Sequence, residues 1–326
     1  MPRVLDQKWV RLVLILSVCS FSALPVIKVA ALRLTQQQTA DTSFDARVTN
    51  PAYKDRHPKV LFDEAHNNVQ TIQGGYKPFA ELITNDGYAV TPNKQKFQLK
   101  LLEGYEILVI VDALGVPRPI LPPTNKAAYI AEASKPAFTP EECEVVRRWV
   151  DAGGSLLLVS DHAPVGAAMA NLSEQFGVEM SKVYTFDTAH ADKGPNAQDS
   201  WIIYSRGNGL LGDHAITRGR EASERVNSVT TFTGQSLKGR TGSVALLALA
   251  ETSGDYNPAT DKEVSAAGRA QGIALPFGKG RVVILGEAAM LTAQIEGNVR
   301  FGMQRAGNDN RQFALNTLHW LSRLLE

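Results

Sequence analysis

Residues 149–162 read WVDAGGSLLLVSDH, and this stretch decides the fold class. A helix ends at the Gly153-Gly154 pair, and Ser155 to Val159 then forms a strand with no polar interruption after its first residue. Continuous apolar strands of this kind are buried on both faces, which is typical of a parallel sheet covered by helices. A short polar turn follows the strand. The stretch therefore predicts a helix, a buried parallel strand and a polar rim in succession.

The helix before this strand has a clear beginning. Thr139 is a typical N-cap residue, and Pro140 suits the first helical position because it lacks a backbone N–H. Glu141 and Glu142 follow, where carboxylates stabilise the positive end of a helix. The sequence predicts a helix from this cap to the two glycines.

The same alternation extends outward from this stretch. Apolar runs predict further strands, and helical spacing predicts helices between them. The predicted elements are strands at 60–62, 88–90 and 105–111, helices at 76–85 and 97–102, two strands within 272–285 joined at 277–280, and a last helix from about Asn310. Strand–helix alternation with short joints predicts an α/β fold: an open, mostly parallel flavodoxin-like sheet with helices on both faces.

The N-terminus is typical of a targeting segment. Arg3, Lys8 and Arg11 precede an uncharged, mostly apolar run from Leu12 to Ile27. We interpret 1–34 as a signal peptide, with an uncleaved N-terminal membrane anchor as the alternative. Residues 35–58 form a polar linker in this interpretation, and 59–326 form one domain. The predicted location is outside the cytoplasm, periplasmic or extracellular.

Composition limits the functions to consider. The chain has 34 Lys and Arg residues against 33 Asp and Glu residues, a net charge of +1. This leaves no broad cationic surface, so nucleic acid is not an expected partner. Of the two cysteines, Cys19 lies in the export segment, which leaves Cys143 alone and predicts no internal disulfide.

Polar clusters follow three predicted strands. In open parallel sheets, ligands bind beyond the carboxyl ends of the strands, so these clusters are expected on one rim. The predicted ligand-binding residues are Asp63, Glu64, His66, Asn67, Asp161, His162 and Glu287. Among them, His162 and Glu287 are the candidate catalytic residues. Each cluster also has a purely structural interpretation, because Asp and Asn often cap the following helix, but three clusters on one edge favour a functional cleft.

Several of these segments resemble a known family. The residues concerned are 60–66 (VLFDEAH), 86–88 (DGY), 149–158 (WVDAGGSLLL) and 161–162 (DH). They are similar to the class I glutamine amidotransferase-like superfamily, over about residues 59–325. The likeness is greatest to an exported branch known as a domain of unknown function, and more distant to trehalose-utilisation-type proteins.

The resemblance implies where a glutaminase nucleophile would lie. In that superfamily a working glutaminase carries its cysteine on the turn directly after the strand that matches Ser155 to Val159. Here that turn holds Asp161 and His162, and Cys143 lies in the preceding predicted helix. Covalent catalysis needs the thiolate at the turn, so glutaminase activity is not expected.

The leading hypothesis is a domain that binds a small polar ligand, for example a carbohydrate, at this rim. One alternative is a metal-assisted hydrolase, in which a divalent metal would be held by His66, Asp161 and His162. Another is a scaffold subunit of an envelope complex. The sequence leaves the oligomeric state open, and it leaves open whether the domain is catalytic.

Overall fold

A computed structural model describes residues 38–120 and 122–326. The strands are β1 (Thr39–Ala40), β2 (Lys59–Asp63), β3 (Ala89–Asn93), β4 (Ile107–Val111), β5 (Ser155–Val159), β6 (Glu179–Met180), β7 (Tyr184–Phe186), β8 (Ile203–Ser205), β9 (Ser228–Thr230), β10 (Leu237–Lys238), β11 (Val244–Ala248), β12 (Gly254–Asn257), β13 (Lys262–Ser265), β14 (Ala270–Phe277), β15 (Gly280–Leu285), β16 (Ala293–Glu296) and β17 (Val299–Gly302). The helices are α1 (Lys77–Asn85), α2 (Leu99–Leu102), α3 (Lys126–Ala133), α4 (Pro140–Asp151), α5 (Val165–Glu174), α6 (Ala215–Arg218) and α7 (Asn310–Leu321).

The main sheet has the order β3-β2-β4-β5-β15-β14-β10-β6, with β11 also paired to β14. The strands from β3 to β15 are parallel to one another. From β14 onward the pairing is antiparallel, because β14 and β15 form a hairpin whose two-residue loop contains Gly278 in a left-handed conformation, φ 55°. The predicted flavodoxin-like α/β sheet is confirmed, with an antiparallel extension that the sequence analysis did not include.

Helices cover both faces of this sheet. Strand β4 illustrates the arrangement, because its residues alternate between the two hydrophobic cores. Ile107 and Val109 pack into the core that includes α1 and α7, whereas Leu108 and Ile110 pack into the core that includes α4 and α5. All five residues of β4 are buried. This burial on both faces explains why the parallel strands are apolar without interruption.

Helix α4 has the predicted cap. The Thr139 hydroxyl accepts a hydrogen bond from the Glu142 backbone N–H at 3.2 Å, and the Glu142 carboxylate accepts one from the Thr139 N–H at 3.1 Å. This is a capping box, in which each residue satisfies the other's backbone donor. The helix end requires glycine, because a Cβ added at Gly154 would lie 2.3 Å from the Trp149 ring. The chain can therefore pass directly from α4 into β5 while the Gly154 backbone packs against the Trp149 ring.

The segment interpreted as a linker contributes to the fold from Thr39 onward. Strand β1 pairs with β16, the Asp41 N–H donates to the Ala293 carbonyl at 3.0 Å, and Ala46 is buried. Polar composition indicated a linker, but strand pairing uses backbone groups and does not require apolar side chains. The predicted export segment, residues 1–34, lies outside the described residues.

Within the described residues, we find no helix that combines the length and apolar character needed to cross a membrane.

Candidate functional site

A cleft of about 730 Å³ lies where β4, β5 and β15 end. These strands end in register, since Val159 of β5 pairs with Val111 of β4 and with Leu285 of β15. The next residues of each chain segment therefore emerge at the same edge of the sheet. Residues of β7, β16 and β17 form other parts of the wall. The cleft thus occupies the carboxyl edge of the parallel strands, where the sequence places the ligand site.

The bottom of the cleft is acidic. Asp112, Asp161 and Glu287 line it, one after each of the three strands, and we call them the carboxylate floor. Asp112 and Glu287 are each 1% exposed, and Asp161 is half-buried. The Asp112 Oδ1 atom accepts the Asp161 N–H at 3.0 Å, and the Asp161 Oδ1 atom accepts the Ala288 N–H at 2.8 Å. Asp112 therefore holds the loop that carries Asp161, and Asp161 holds the loop that carries Glu287.

Burial and the neighbouring Asp161 charge raise the pKa values of two floor residues, Glu287 and Asp112. Burial raises the pKa of Glu287 to about 8, and the Asp161 charge adds to the increase, while backbone N–H groups oppose it. Burial and the Asp161 charge likewise raise the pKa of Asp112 well above its usual value. A carboxyl group that stays protonated near neutral pH can donate a hydrogen bond as well as accept one.

Glu287 is also tied to the backbone. Its Oε1 atom accepts the Ala289 N–H at 2.7 Å, and its Oε2 atom accepts the Met290 N–H at 2.8 Å. Both oxygens therefore cap the short 3₁₀ turn at Ala289–Leu291. This geometry favours a positioning role for Glu287, because each oxygen already accepts a backbone hydrogen bond.

His162 stands beside the floor with one ring nitrogen free. Its Nδ1 donates to the Ala163 carbonyl at 2.8 Å, which assigns the proton to Nδ1. The ring stacks on Tyr184 with 4.0 Å between centroids. The Nε2 atom makes no hydrogen bond to any residue of 38–120 or 122–326, and His162 lines the cleft. Nε2 can therefore exchange a proton or a hydrogen bond with a ligand.

His66 and Asp63 lie elsewhere, in a buried network. The His66 Nδ1 lies 2.9 Å from Asp63 Oδ2, and its Nε2 lies 2.8 Å from Glu142 Oε1. The ring lies between Phe97 and Phe138, with centroids 4.6 and 4.8 Å away. Neither Asp63 nor His66 lines the cleft. The sequence interpretation placed both in the shared cleft, but β2 is separated from β5 by β4, so its end lies one strand too far away.

Glu64 and Asn67 also lie outside the cleft lining. Glu64 Oε1 accepts the Ile72 N–H at 2.8 Å, and the Asn67 side chain donates to the Leu114 carbonyl at 3.2 Å. These contacts brace the loop after β2, which reaches the cleft through Val69 and Gln70 instead. Of the seven predicted ligand-binding residues, the structure brings Asp161, His162 and Glu287 together in the cleft lining.

Three cleft residues other than glycine have left-handed backbones, with φ 48° at Asp112, φ 62° at Asn196 and φ 76° at Thr233. This conformation is unfavourable for a β-branched residue such as threonine. Thr233 is held by Ser200, whose carbonyl accepts the Thr233 N–H at 3.1 Å and whose hydroxyl lies 2.7 Å from the Thr233 hydroxyl. Strained residues persist where the surroundings fix them, and they occur most often at functional sites.

Searches against protein families and curated proteins find no match. Among solved structures, the chain is similar to the mmIFT52 N-terminal domain, with a TM-score of 0.55 and 16% identity over 81% of this chain and 97% of that one. The two share a fold.

Two more distant structural neighbours carry names from the predicted superfamily. One is a protein from Thermoplasma acidophilum named for a GMP synthase subunit, with a TM-score of 0.41 and 9% identity over 83% of this chain and 96% of that one. The other is a ThuA-like protein from Parabacteroides merdae, with a TM-score of 0.42 and 10% identity over 82% of this chain and 90% of that one. Membership of the superfamily and of its exported branch stays a prediction.

Cys143 is not available as a nucleophile. It lies in helix α4 with 2% of its surface exposed, and burial, with the nearby Glu142 charge, raises the pKa of its thiol to about 12. The turn after β5 holds Ser160, Asp161 and His162 instead. Because the thiolate is the reactive form, this cysteine has almost none of it at neutral pH.

The metal ligands of the alternative hypothesis do not come together. Both ring nitrogens of His66 face carboxylates of the buried network, away from Asp161 and His162. Across residues 38–120 and 122–326, no group of three or more His, Cys, Asp or Glu side chains is arranged to hold a metal ion.

Sequence reasoning missed several cleft residues. Asp112 follows the apolar strand β4 as Asp161 follows β5, so the same rule would have found it. The aromatic lining residues Tyr184, Trp201, Phe232 and Phe301 had no comparable signal. They come from irregular segments or small sheets, whose position relative to the main sheet follows from no periodic pattern.

Proposed function

We propose that this domain binds a small polar ligand in the cleft at the carboxyl edge of the sheet and has no glutaminase activity. The observation that carries the proposal is the Nε2 atom of His162, which has no hydrogen-bond partner among the described residues and lies beside the carboxylate floor in a cleft of about 730 Å³. A cavity of this size suits a ligand of roughly sugar to small-cofactor dimensions.

Hydroxyl groups suit this arrangement because they both donate and accept. Protonated Glu287 supplies a donor, the carboxyl oxygens of Asp112 and Asp161 supply acceptors, and His162 Nε2 supplies another acceptor. Apolar surface from the aromatic lining residues would contact the carbon skeleton. Carbohydrates combine these two kinds of surface, which supports a hydroxyl-rich ligand.

Should the cleft carry out a reaction, His162 is the group placed for proton transfer. Its tautomer is fixed by the Ala163 carbonyl and its ring by Tyr184, so Nε2 has a defined direction. Glu287, the other catalytic candidate, supports this role by positioning: it holds the turn that begins at Ala289.

We also propose that the domain acts outside the cytoplasm, on the basis of the N-terminal sequence. An alkaline phosphatase fusion to the C-terminus of the full chain tests this directly, because that enzyme becomes active only after export. Activity lost on deleting the segment from Leu12 to Ile27 is the expected result. Equal activity with and without the segment would contradict export.

Ligand binding is tested by thermal unfolding of the full chain with millimolar neutral sugars, amino sugars and sugar acids. We expect a saturable increase in Tm with at least one of them, since a ligand that binds only the folded state stabilises it. The increase should disappear in His162→Ala and persist in His57→Ala, which removes an exposed histidine outside the cleft lining. No increase with any probe would contradict the proposal.

A further inference from the structure

The buried acidic residues of this chain fall into two groups. Nine acidic side chains are buried within residues 38–120 and 122–326. Seven of them have a basic or histidine side chain within 4.0 Å: Asp41, Asp63, Asp86, Glu142, Asp187, Glu224 and Asp255. The remaining two are Asp112 and Glu287, both in the carboxylate floor. Half-buried Asp161, the third floor residue, also has no such partner among the described residues.

This contrast is informative because an unpaired buried charge is costly. Removing the partner of a buried ion pair is strongly destabilising, because it leaves an uncompensated charge in the interior. The chain supplies counter-ions to its buried acids elsewhere, and it omits them where three acids meet. A cationic ligand would take the place of the missing counter-ion.

The whole cleft has the same electrostatic character. Besides the floor, its charged lining residues are Glu296 and Arg118, and Arg118 is exposed. Four carboxylates therefore face one arginine and His162. Each of these carboxyl groups that ionises makes the cleft more favourable for a ligand of positive charge.

Size and lining indicate an organic cation in place of a bare metal ion. A volume of about 730 Å³ far exceeds what one ion fills. Trp201, Phe232 and Phe301 pack edge to face at 5.2–5.8 Å between centroids and line one side of the cleft with the small part of each ring that is exposed, while Arg305 lies over the Trp201 ring. Aromatic rings suit both the carbon skeleton and the positive charge of an amine.

We infer that the cleft binds a small hydroxylated amine, of which an amino sugar is the representative class, with its ammonium group against Asp112, Asp161 and Glu287. The inference rests on the proposed function, since it names the class of ligand that the same cleft takes. The hydroxyl groups would face His162 Nε2 and Gln70, which also lines the cleft.

Binding of this kind releases protons. Burial and the Asp161 charge raise the pKa of Asp112 and raise that of Glu287 to about 8, whereas an incoming ammonium group favours the ionised carboxylates. The other titratable lining residues are Tyr129, Tyr184, Glu296 and His162. The protons leave to buffer, so the measured heat of binding depends on the ionisation enthalpy of the buffer.

The test is calorimetric titration of the full chain with four matched probes: glucosamine, glucose, N-acetylglucosamine and glucuronate. They share a pyranose ring: glucosamine carries an ammonium group at C2, glucose and N-acetylglucosamine are neutral, and glucuronate carries a carboxylate at C6. We expect glucosamine to bind at least about tenfold more tightly than glucose, equivalent to about 1.4 kcal/mol. Glucuronate should bind most weakly. Glucosamine titrations in phosphate and imidazole buffers should differ in heat and report proton release.

Two variants locate the charge recognition. Asp112→Asn keeps the oxygen that accepts the Asp161 N–H, and asparagine tolerates the left-handed backbone at this position. Asp161→Asn keeps the oxygen that accepts the Ala288 N–H and serves where the first variant unfolds. Each should remove the preference for glucosamine over glucose. The exposed Asp213→Asn is the control and should retain it.

Each contrary result has a distinct meaning. Equal binding of glucosamine and glucose would overturn the amine inference and leave the proposed ligand-binding function standing. If Mg²⁺ or Zn²⁺ stabilised the protein and glucosamine did not, the ligand of the floor would be a metal ion and the amine inference would be wrong. No binding of glucosamine while a sugar acid binds would also overturn the inference. No binding of any probe would overturn both proposals.

Discussion

The backbone N–H of Asp161 donates to the Oδ1 atom of Asp112 across 3.0 Å, and so joins the ends of β5 and β4. The left-handed backbone of Asp112, with φ 48°, turns its carboxyl group toward the neighbouring strand. One side chain thereby fixes the loop that carries Asp161 and His162. The same contact brings two carboxyl groups close together; burial raises the pKa of both, and the Asp161 charge raises the pKa of Asp112 further.

Asp112→Asn should change the pH dependence of stability. Burial raises the pKa of Asp112 above its usual 3.8 in the folded state, so the wild type loses stability as pH rises from there through the folded pKa. The variant lacks this loss. Its free energy of unfolding should exceed that of the wild type by about 1–3 kcal/mol at pH 8 and converge on it at pH 4. If urea unfolding gave the same difference in free energy of unfolding between the two proteins at pH 8 and at pH 4, the prediction would be wrong.

Glu287→Gln should destabilise the fold, even though it removes a buried carboxyl group whose pKa burial raises to about 8. Both carboxyl oxygens accept backbone N–H groups, from Ala289 and Met290, whereas an amide has one oxygen. The amide NH₂ would face a backbone N–H, which leaves a buried donor unsatisfied at a cost of about 1–3 kcal/mol. Glu296→Gln at the cleft rim, within about 0.5 kcal/mol of wild type, is the matched control in urea unfolding. Equal stability of the two variants would contradict the capping role.

Gly154→Ala should be destabilising by about 1–3 kcal/mol, because its Cβ would lie 2.3 Å from the buried Trp149 ring. Gly104→Ala is the comparison, since its Cβ would meet its nearest atom only at 3.9 Å. Thermal unfolding of both variants measures the difference. Similar Tm values would show that the helix end adjusts without cost.

The fold was predictable where periodicity and end signals coincide. Thr139 and Gly153 mark the two ends of α4 in the sequence. The apolar run of β5 indicates a strand of a parallel sheet that is covered by helices, because such a strand is buried on both faces. Strand order was not predictable. A run such as Gly272–Leu285 indicates a hairpin, but nothing in it specifies that β15 lies beside β5.

The candidate site depended on that order. The rule that parallel strands end at one edge predicts which residues share a rim, but it does not give the distance between strands. It therefore brought Asp161 and Glu287 together and included His66, which lies one strand away. The sequence around His66 also does not show whether its ring faces a cleft or is buried in the core. Only packing against Phe97 and Phe138 distinguishes the two.

His66→Gln tests the structural role of this histidine. Burial lowers the pKa of His66, but the hydrogen bonds and charges of Asp63 and Glu142 outweigh burial and raise it above 6.5. A raised histidine pKa stabilises the folded state below pH 6.5, and this contribution is lost as pH rises through the folded pKa. The variant should lose about 3–5 kcal/mol at pH 6, because it leaves buried Asp63 without a charged partner and Glu142 with Lys96 at 3.7 Å, and its deficit should shrink toward pH 9.

Ligand binding provides the second readout for His66→Gln. Since His66 does not line the cleft, affinity for any sugar that binds should stay within about twofold of wild type at a temperature where the variant is folded. His162→Ala should behave in the opposite way, losing binding with a small change in stability, because its Nε2 makes no hydrogen bond within the described residues. Urea unfolding at several pH values and calorimetric titration measure the two effects. Loss of binding in His66→Gln at unchanged stability would place this histidine at the ligand after all.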